Sequence, residues 1–525
     1  MLLIICIFVW EYGNQEDITL LIYHRNNMKQ LLRLTAIFIA TFTLTANATA
    51  NIIYVDSAVI NANMNGTSWG EAYADLQSAL DSANDGDEIW VAQGTYYPSK
   101  IVGEIPTIDT RDQSFVIPAN VKVYGGFAGT ETNFSDRNIA NNKTTLSGDI
   151  DDSDDARDNC YHVVFAVIQT NEEITLDGFT ITGGNANGNK IVTINGESFS
   201  QSYGSGVFVY SYSTADGSIT ITNNTITENA ATISGGGIFA SVSASGSGLV
   251  TITNNTIKGN RAKNGGGVYA YTDPPRFGNS SITITNNTIT ENTTTVSGGG
   301  IYAHAATATI FPGNSSITIT NNTITENTTS SVGGGIYAYT YALGSGSCSV
   351  TITNNIINSN NDSSGGGIYA YSTAYTSSSG LITITNNTIT ENTSTSSGGG
   401  IFANTNGNGS IIINNTIFCE NKKAGNSNDI EIDGSGTITV SYSLLQKTLE
   451  FGINDLGNNI VVKDPQFVDP TNGDFQLMQN SPAVNAGNIN VYNENIAGDK
   501  DVNGKKRIQA GFIDMGACES AYTAL

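Results

Sequence analysis

Through the middle of the chain, apolar and polar residues alternate one by one in short runs dominated by Ile and Thr. In one such run, Ile282 and Ile284 fall on one side of an extended chain, while Thr283 and Thr285 fall on the other. Alternation with a period of two, in β-branched residues, is typical of a strand that is buried on one face only. The pattern predicts strands with Ile inward and Thr toward solvent.

A second kind of strand follows a triplet of glycines that occurs six times. An apolar and then an aromatic residue come next, as in Ile301 and Tyr302. Two residues after this aromatic residue, the chain holds Tyr, Ser, His or Asn, which favours an outward position. Residues two apart lie on the same face of a strand, so the aromatic residues are also expected to face outward, with Ile301 and Ala303 inward. The predicted outward stripe consists of Tyr269, Tyr271, Tyr302, Tyr337, Tyr339, Tyr369 and Tyr371.

Both signatures recur at nearly constant spacing. Each Ile-Thr run ends at an Asn, and these lie 28 to 35 residues apart, at Asn223, Asn254, Asn286, Asn321, Asn354, Asn386 and Asn414. Repeats of this length are typical of solenoids, in which each unit buries its apolar face against the next. We predict an all-β fold, a right-handed parallel β-helix with three strands and three turns per coil and coils about 4.8 Å apart.

Each of these asparagines is the first of two consecutive asparagines. It falls on the same side of the extended chain as the inward isoleucines, as Asn286 does with Ile284. Inward amides repeated in successive coils can hydrogen-bond to one another as a ladder. Asn also tolerates the left-handed backbone that a bend between strands requires. The sequence therefore predicts an internal ladder built from the first Asn of each pair.

The N-terminal 1–50 segment has the features of a leader. A basic stretch from Met28, an apolar stretch over 34–44 and small residues up to position 50 are the three parts of a secretory signal peptide. We expect translation to start at Met28 and the signal peptide to cover 28–50. The alternative is an anchor that includes Leu2–Trp10, although this run is too short to span a bilayer.

Three further regions follow the leader. Residues 51–173 are predicted to form an N-terminal cap, with a helix over 71–83, and irregular coils. Residues 174–420 are predicted to form the regular array. Residues 421–525 are predicted to close the other end as an irregular C-terminal cap, because an open coil would expose its strand edges and apolar interior.

Several motifs resemble those of known families. Ile52–Asp56, the Ser68-Trp69 pair and Gly94–Tyr96 resemble the first coil of bacterial pectin-lyase-fold, right-handed β-helix repeat proteins. The glycine-triplet units are similar to the repeats of chlamydial polymorphic outer membrane proteins. The C-terminal motifs resemble the choice-of-anchor Q domain, and they are Asp464–Pro470, Gly473–Leu477, Ser481–Gly487 and Asp514–Glu519. These resemblances imply a secreted or surface-displayed β-helix, associated with the cell surface or outer membrane.

The charge balance restricts the partners. With 22 basic and 46 acidic residues, the formal net charge is −24, which argues against nucleic-acid binding because that requires clustered Lys and Arg.

No stretch after the leader has the 18 or so consecutive apolar residues of a transmembrane helix. Only His162 and His304 follow the leader, without a nucleophile motif around either, so histidine-based catalysis is not expected. Cys160, Cys348, Cys419 and Cys518 are too dispersed in the repeat for us to pair any two.

Two acidic segments are candidate Ca²⁺ sites, because Ca²⁺ takes six to eight oxygen ligands. The first contains Asp149, Asp151, Asp152, Asp154 and Asp155, with Asp158 close behind. The second begins like an EF-hand loop with Asp499, Asp501 and Asn503, but has Ala510 at the twelfth position. The alternative for both is an ordinary acidic turn. No other cofactor is expected.

The tyrosine stripe predicts a carbohydrate or other cell-surface ligand, because flat rings with a hydroxyl can stack on sugars and hydrogen-bond their edges. The alternative is ring stacking that only stabilises the sheet.

We expect a non-catalytic adhesin or glycan-binding stalk. The alternative function is a polysaccharide lyase or glycosidase, for which the two-carboxylate candidates are Asp216, Asp273, Asp362 and a column of glutamates at 228, 291, 326 and 391.

Overall fold

The alternating Ile and Thr residues form strands, with Ile282 and Ile284 buried and Thr283 and Thr285 on the outer side. The structure is a computed structural model that describes residues 50–60, 63–103, 109–151, 155–194, 197–212, 214, 216–275, 277–307, 313–375 and 378–522. Apart from the residue at position 50, the predicted leader lies outside these residues. The fold is a right-handed parallel β-helix of about 11 turns, as the repeats predict.

A regular coil contributes four strands, not the predicted three. We number the four sheets in the order in which the chain visits them. The Ile-Thr run forms sheet I, the short strand after the Asn pair forms sheet II, and the strand after the glycines forms sheet IV. Between them, a Thr-rich or Ser-rich segment such as Thr293–Ser297 forms sheet III. With three predicted strands per coil this segment falls in a turn, but it forms a fourth strand although it contains few apolar residues.

Sheets I and II hold the longest series of parallel strands. Sheet I has thirteen strands: Ile52–Val55, Glu88–Ala92, Val121–Phe127, Glu173–Asp177, Gly217–Thr222, Ser247–Thr253, Asn279–Thr285, Asn314–Thr320, Ser347–Thr353, Ser379–Thr385, Ser410–Asn414, Thr437–Ser441 and Asn454–Asp455. Sheet II has twelve strands: Gly94–Tyr96, Thr144–Ser147, Thr180–Thr182, Thr225–Thr227, Thr256–Lys258, Thr288–Thr290, Thr323–Thr325, Ile356–Asn358, Thr388–Thr390, Ile417–Cys419, Leu444–Leu445 and Ile460–Val461.

Sheets III and IV complete each coil, and each has one antiparallel pair at an end. Sheet III has nine strands: Asn185–Ala186, Ala230–Ala231, Arg261–Asn264, Thr293–Ser297, Thr328–Thr329, Asn361–Ser364, Thr393–Ser397, Lys422–Lys423 and Asn426–Ser427. Sheet IV has eleven strands: Lys100–Ile101, Gln113–Ile117, Val164–Ile168, Val207–Ser211, Ile238–Val242, Val268–Thr272, Ile301–Thr307, Ile336–Ala342, Ile368–Ala374, Ile401–Gly407 and Ile430–Gly434.

Two hairpins and several helices lie outside the four sheets. The hairpins are Ile191–Ile194 with Glu197–Ser200, and Phe467–Asp469 with Asp474–Leu477. The α-helices are Leu76–Ser82 and Glu494–Ala497, and the 3₁₀ helices are Trp69–Glu71, Thr110–Asp112, Phe134–Asp136, Pro470–Asn472 and Ile489–Val491. No helix of the described residues is long and apolar enough to cross a bilayer.

Asparagine ladders run through the interior, but the predicted residue was wrong by one position. The first Asn, such as Asn286, adopts a left-handed backbone with φ 56° and forms the corner. That corner turns the second Asn inward: Asn287 Nδ2 donates to Asn322 Oδ1 at 3.0 Å, and the Asn287 backbone N–H donates to the same oxygen at 2.9 Å. The first ladder consists of Asn224, Asn255, Asn287, Asn322, Asn355 and Asn387.

A second ladder was not predicted. It begins after a second left-handed corner, where Glu291 and Glu326 have φ 57°. Its members connect in the same way, with 3.0 Å between Asn292 Nδ2 and Asn327 Oδ1. They are Asn229, Asn260, Asn292, Asn327, Asn360, Asn392 and Asn421. The ladders satisfy buried polar groups at both ends of the short sheet II strand.

The predicted N-terminal helix covers the first coil but is shorter than 71–83. It runs over Leu76–Ser82, and the Asp75 carboxylate caps it by accepting from Ser78 N at 2.7 Å. Residues just before it are extended, with Tyr73 bridging to Val55. Leu76 and Leu80 are buried against the first strand in the same core cluster as Val55, so the helix covers the apolar end of the coil.

The C-terminal segment is divided between two places, which corrects the prediction that 421–525 closes the end. Strands continue to Val461. Leu449 and Ile453 pack against the main core, and a Cβ at Gly452 between them would lie 3.0 Å from Ile432 Cδ1 on the last strand of sheet IV. Residues 465–522 instead fold back along the corner between sheets I and II. There, Tyr492 OH accepts from Asn354 Nδ2 at 2.8 Å, and Thr388 Oγ1 accepts from Ala517 N at 3.0 Å.

The four cysteines of the described residues are free thiols, three of them buried. Burial raises the pKa of each thiol to about 12. They therefore remain protonated near neutral pH and are poor nucleophiles.

Candidate functional site

The outer face of sheet IV carries the predicted tyrosine stripe. In the strand Ile336–Ala342, Ile336 and Ala338 are fully buried, whereas Tyr337 and Tyr339 are partly exposed on the other side. The preceding glycines make a tight corner: a Cβ at Gly333, where φ is 70°, would lie 2.6 Å from the Ile336 carbonyl oxygen. The prediction of Ile inside and Tyr outside is therefore confirmed.

The first aromatic column is one continuous stack. Adjacent ring centroids between Tyr269 and Tyr369 are 4.7 to 5.3 Å apart, and the planes differ by 9° to 17°. Within this run each ring therefore covers the face of its neighbour, and ring edges and hydroxyl groups point outward. The predicted stacking of sugars on these ring faces does not fit this geometry. The complete column is Phe165, Phe208, Phe239, Tyr269, Tyr302, Tyr337, Tyr369 and Phe402.

The second column is shorter and has open places. His304 stacks on Tyr339 at 4.4 Å, and Tyr339 stacks on Tyr371 at 5.1 Å. Asn404 is the strand partner of Tyr371, so no ring of this column covers that side of Tyr371. At the other end, Tyr271 meets His304 edge to face and donates its hydroxyl to Asp273 Oδ2 at 3.0 Å. A flat ligand can contact this column at Tyr371.

Burial keeps the site uncharged. It raises the pKa of Tyr302 to about 12 and raises those of Tyr337 and Tyr339 further. It also lowers the pKa of His304 to about 4, so this ring is neutral at physiological pH. His304 Nε2 has no hydrogen-bond partner among the described residues. The face therefore offers neutral donors and acceptors.

The predicted stripe omits two tyrosines of this face. Tyr341 is the third outward residue of its strand, and its strand neighbours are the small Ala306 and Thr373. Tyr375 is 40% exposed and contacts Tyr341 edge to face at 6.2 Å. Continuing the alternation by two residues would have identified Tyr341. We define the tyrosine patch as Tyr337, Tyr339, Tyr341, Tyr369, Tyr371 and Tyr375.

Other segments limit the open face. The hairpin from Ile191 to Ser200 folds over the first rings of the stack, where Phe199 meets Phe165 and Phe208 edge to face at 5.6 and 5.2 Å. A cavity of about 310 Å³ lies beside this hairpin. Past the patch, Asn404 Nδ2 lies 3.5 Å from Asp433 Oδ2, which gives that end a polar, acidic border.

The candidate catalytic carboxylates do not gather at the patch. Asp362 is 4% exposed on sheet III, and it accepts from Gly334 N at 3.1 Å. Burial raises its pKa to about 8. The glutamate column lies at the exposed corner between sheets II and III, where Glu291 pairs with Lys258 at 2.8 Å. Asp273 is next to Tyr271, and Asp216 is exposed just before a sheet I strand. Among these candidates, no arrangement places two carboxylates opposite each other on the tyrosine face.

The first predicted Ca²⁺ segment is partly assembled. Oxygens of Asp149, Asp151 and Asp158 lie within 4.8 Å of one another. Asp155 instead pairs with Arg157 at 2.6 Å, which lowers the pKa of its carboxyl to about 2. The predicted ligands Asp152 and Asp154 lie outside the described residues.

In the second segment, Asp501 already binds the backbone of its own loop and the adjacent chain. It accepts from the N–H groups of Asn503 at 2.9 Å, Lys505 at 2.7 Å and Glu519 at 2.6 Å. Asp499 and Asn503 are exposed. A Ca²⁺ site formed by these three residues stays a prediction.

The fold and its exposed aromatic face define a right-handed parallel β-helix protein. Residues 165–417 match the family described as "Right handed beta helix region". Solved structures similar to the chain include pectate lyase Pel9A, at 14% identity and a TM-score of 0.48, covering 90% of this chain and 98% of that one. A complex of XylC with xylose is 12% identical with a TM-score of 0.37, covering 89% of this chain and 99% of the other. No curated protein matches the chain.

Proposed function

We propose that this protein is a secreted or cell-surface β-helix that binds an extended glycan along the tyrosine patch without cleaving it. The observation that carries the proposal is the row of phenol groups on the outer face of sheet IV. Between the two coils of the patch the ring centroids lie 5.1 and 5.3 Å apart, and the first column continues beyond the patch to Tyr302 and Tyr269 at 4.9 and 4.7 Å. A row of identical, evenly spaced hydroxyl groups suits a ligand that is itself a linear polymer of polar units.

The chemistry of the patch supports a neutral or weakly charged sugar chain. Raised pKa values keep the phenols protonated, so each can donate and accept one hydrogen bond. Tyr371 and Tyr375 supply ring surface for stacking at the C-terminal side of the patch. The acidic border at Asp433 and the net charge of −24 disfavour a polyanionic ligand.

Retention at the cell surface is the second part of the proposal. It rests on the resemblance of the C-terminal motifs to choice-of-anchor Q domains and of the repeats to chlamydial surface proteins. Fractionation of producing cells tests it: the protein is expected in the surface or medium fraction, and recovery from the cytosol alone would contradict it.

A panel of neutral and acidic polysaccharides, presented to the purified protein, tests binding. We expect retention on a neutral glycan, without release of reducing ends or unsaturated sugars. Release of either product would favour the polysaccharide-active enzyme, and absence of retention on every member would contradict the proposed ligand class. The variant Tyr339→Phe/Tyr371→Phe keeps the stacked rings and removes two hydroxyls, so it separates hydrogen bonding from folding. Tyr124→Phe, on sheet I, is the matched control.

A further inference from the structure

We propose that the C-terminal end of the β-helix is the surface through which two copies of this chain associate, tail to tail. The last coil exposes three large apolar side chains, which we call the open end. Phe451 is fully exposed, Leu456 directly follows the last strand of sheet I and is 59% exposed, and Val461 is 51% exposed. Apolar surface that stays exposed in this way is typical of a site of association.

Val461 belongs to the interior of the solenoid by its position. It is the strand partner of Leu445, which is 1% exposed and lies in the main core cluster. Paired residues of adjacent parallel strands lie on the same face of a sheet, so Val461 also faces the interior. It is half exposed because no further coil of the described residues covers it. A coil of a solenoid buries its apolar face against the next one, and this coil lacks that neighbour.

The backbone of the same strand has an unpaired edge. Ile460 N donates to the Ser443 carbonyl and Val462 N donates to the Leu445 carbonyl, both at 2.9 Å. Backbone groups of successive residues in a strand point to opposite edges, so the N–H and C=O of Val461 point away from the preceding coil. Among the described residues, no strand pairs with that edge of sheet II. An unpaired edge is a template on which another chain can pair.

The described residues cover the two ends of the β-helix unequally. At the first coil, the helix Leu76–Ser82 packs over the apolar interior. At the last coil, Leu449 and Ile453 pack against the main core, but Phe451 between them is left in solvent. Residues 465–522 lie along the corner between sheets I and II and not over the last coil. Association through the open end is therefore tail to tail.

A second copy of this chain is the partner that fits the open end. Each copy carries the same apolar side chains and the same strand edge, and a two-fold axis places such a surface against itself. The local charge permits this contact. The whole chain has a net charge of −24, whereas residues 446–464 contain two lysines and three acidic residues, which gives a net charge of −1. Two copies therefore repel each other least at this end, and side chains of opposite charge can pair across it.

A dimer of this kind would carry two tyrosine patches. Two linked sites raise the avidity for a polymeric ligand, and this consequence alone rests on the proposed function. The association itself is measured without a glycan. The proposed dimer and the proposed ligand can therefore fail independently.

Size-exclusion chromatography with light scattering, on the purified full chain over a range of concentrations, tests the association. We expect a mass of twice 55.2 kDa. Phe451→Asp and Val461→Asp should each weaken dimerisation about tenfold or more, because each places a charge in an apolar contact. The matched control is Ile191→Asp, at a side chain that is 69% exposed on the hairpin over sheet IV, and it should dimerise like the wild type.

Cross-linking tests whether the two tails meet. A bis-maleimide reagent should join two copies of the Phe451→Cys variant, and should join copies of the Ile191→Cys variant no more than those of the wild type. The background from native thiols is low, because three of the four cysteines of the described residues are buried. Equal cross-linking of the two variants would contradict the tail-to-tail arrangement.

Three further results would overturn the proposal. One is a monomeric wild type at every concentration measured. Another is unchanged dimerisation in both the Phe451→Asp and Val461→Asp variants. The third is a mass that continues to grow beyond the dimer, since an open-ended assembly requires a head-to-tail contact. If Val461→Asp fails to fold, as judged by circular dichroism, the variant at the fully exposed Phe451 decides the outcome alone.

Discussion

The interior asparagine ladders and the exterior tyrosine stack repeat along the same coils, yet they differ in how much variation they accept. Every member of the first ladder from Asn224 to Asn387 is Asn, and each of them is buried. The outer columns instead mix Tyr with Phe, His, Ser and Asn, for example Phe239 and His304. The ladder requires one amide geometry in each coil, whereas the outer face requires only a residue that can pack on a sheet. This difference indicates that the ladder maintains the fold and that the exterior is free to carry function.

The largest loss of stability is expected from breaking the ladder. Asn322 Nδ2 donates to the Ile284 carbonyl at 2.9 Å, and its Oδ1 accepts from the backbone N–H of Asn287 at 2.9 Å. Asn322→Ala leaves both groups buried without partners and should lower the free energy of unfolding by about 3 kcal/mol or more. Chemical denaturation measures this change. The control is Asn321→Gly, since Gly accepts the φ of 56° at that corner, and it should cost less than about 1 kcal/mol.

A buried acid on sheet III gives a change of the opposite sign, a gain of stability at high pH when the acid is replaced. In the unfolded chain Asp362 is ionised when the pH is above its ordinary pKa of 3.8. In the fold, burial raises its pKa to about 8. The stability that the neutral carboxyl contributes is complete below about pH 4 and is lost as the pH rises from there to about 8. Its strand neighbour is Ser394, so Ser fits this position.

Asp362→Ser should therefore stabilise the protein at pH 8 relative to pH 4 by several kcal/mol, up to about 5 kcal/mol, because each pH unit between the two pKa values contributes about 1.4 kcal/mol. Denaturation of both proteins at the two pH values measures this difference, and other titrating groups cancel in the comparison. A difference that does not change with pH would show that Asp362 ionises normally in the fold.

A smaller effect is expected in the tyrosine stack. Tyr337 lies between Tyr302 at 4.9 Å and Tyr369 at 5.3 Å. Tyr337→Ser removes both stacking contacts and should cost about 1 to 2 kcal/mol, whereas Tyr337→Phe should cost less than about 0.5 kcal/mol. Thermal unfolding of the two variants measures the effect. Equal losses for Ser and Phe would mean that the hydroxyl, and not the ring, stabilises the sheet.

Much of the fold was predictable because the repeats state the same information in every coil. The alternation identified Ile301 as inward and Tyr302 as outward, and the structure confirms both. The ladder was assigned to Asn286 and not Asn287, because parity counting assumes an extended chain and the left-handed corner breaks it. Sheet III was missed since its strands contain few apolar residues.

The site was predicted less completely. The columns were correct, but the sequence did not show that the rings of the first column would cover each other's faces, because ring orientation depends on packing between coils. The sequence did not show which of the acidic residues at 149–158 come together, because this depends on the bond from Cys160 N to the Gly148 carbonyl, which brings Asp158 close to Asp149. The fold of 465–522 along the side of the helix also depended on tertiary contacts, such as that of Tyr492 with Asn354.

One measurement addresses the proposed function directly. It is the affinity, for the glycan that the wild type retains, of a variant in which four tyrosines are replaced by Phe. The four are Tyr337, Tyr339, Tyr369 and Tyr371. The rings remain stacked and only the outward hydroxyls are lost. We predict that the variant melts within a few degrees of the wild type and binds the glycan about tenfold or more weakly than the wild type does. Unchanged affinity in a folded variant, with Tyr124→Phe also unchanged, would contradict the account.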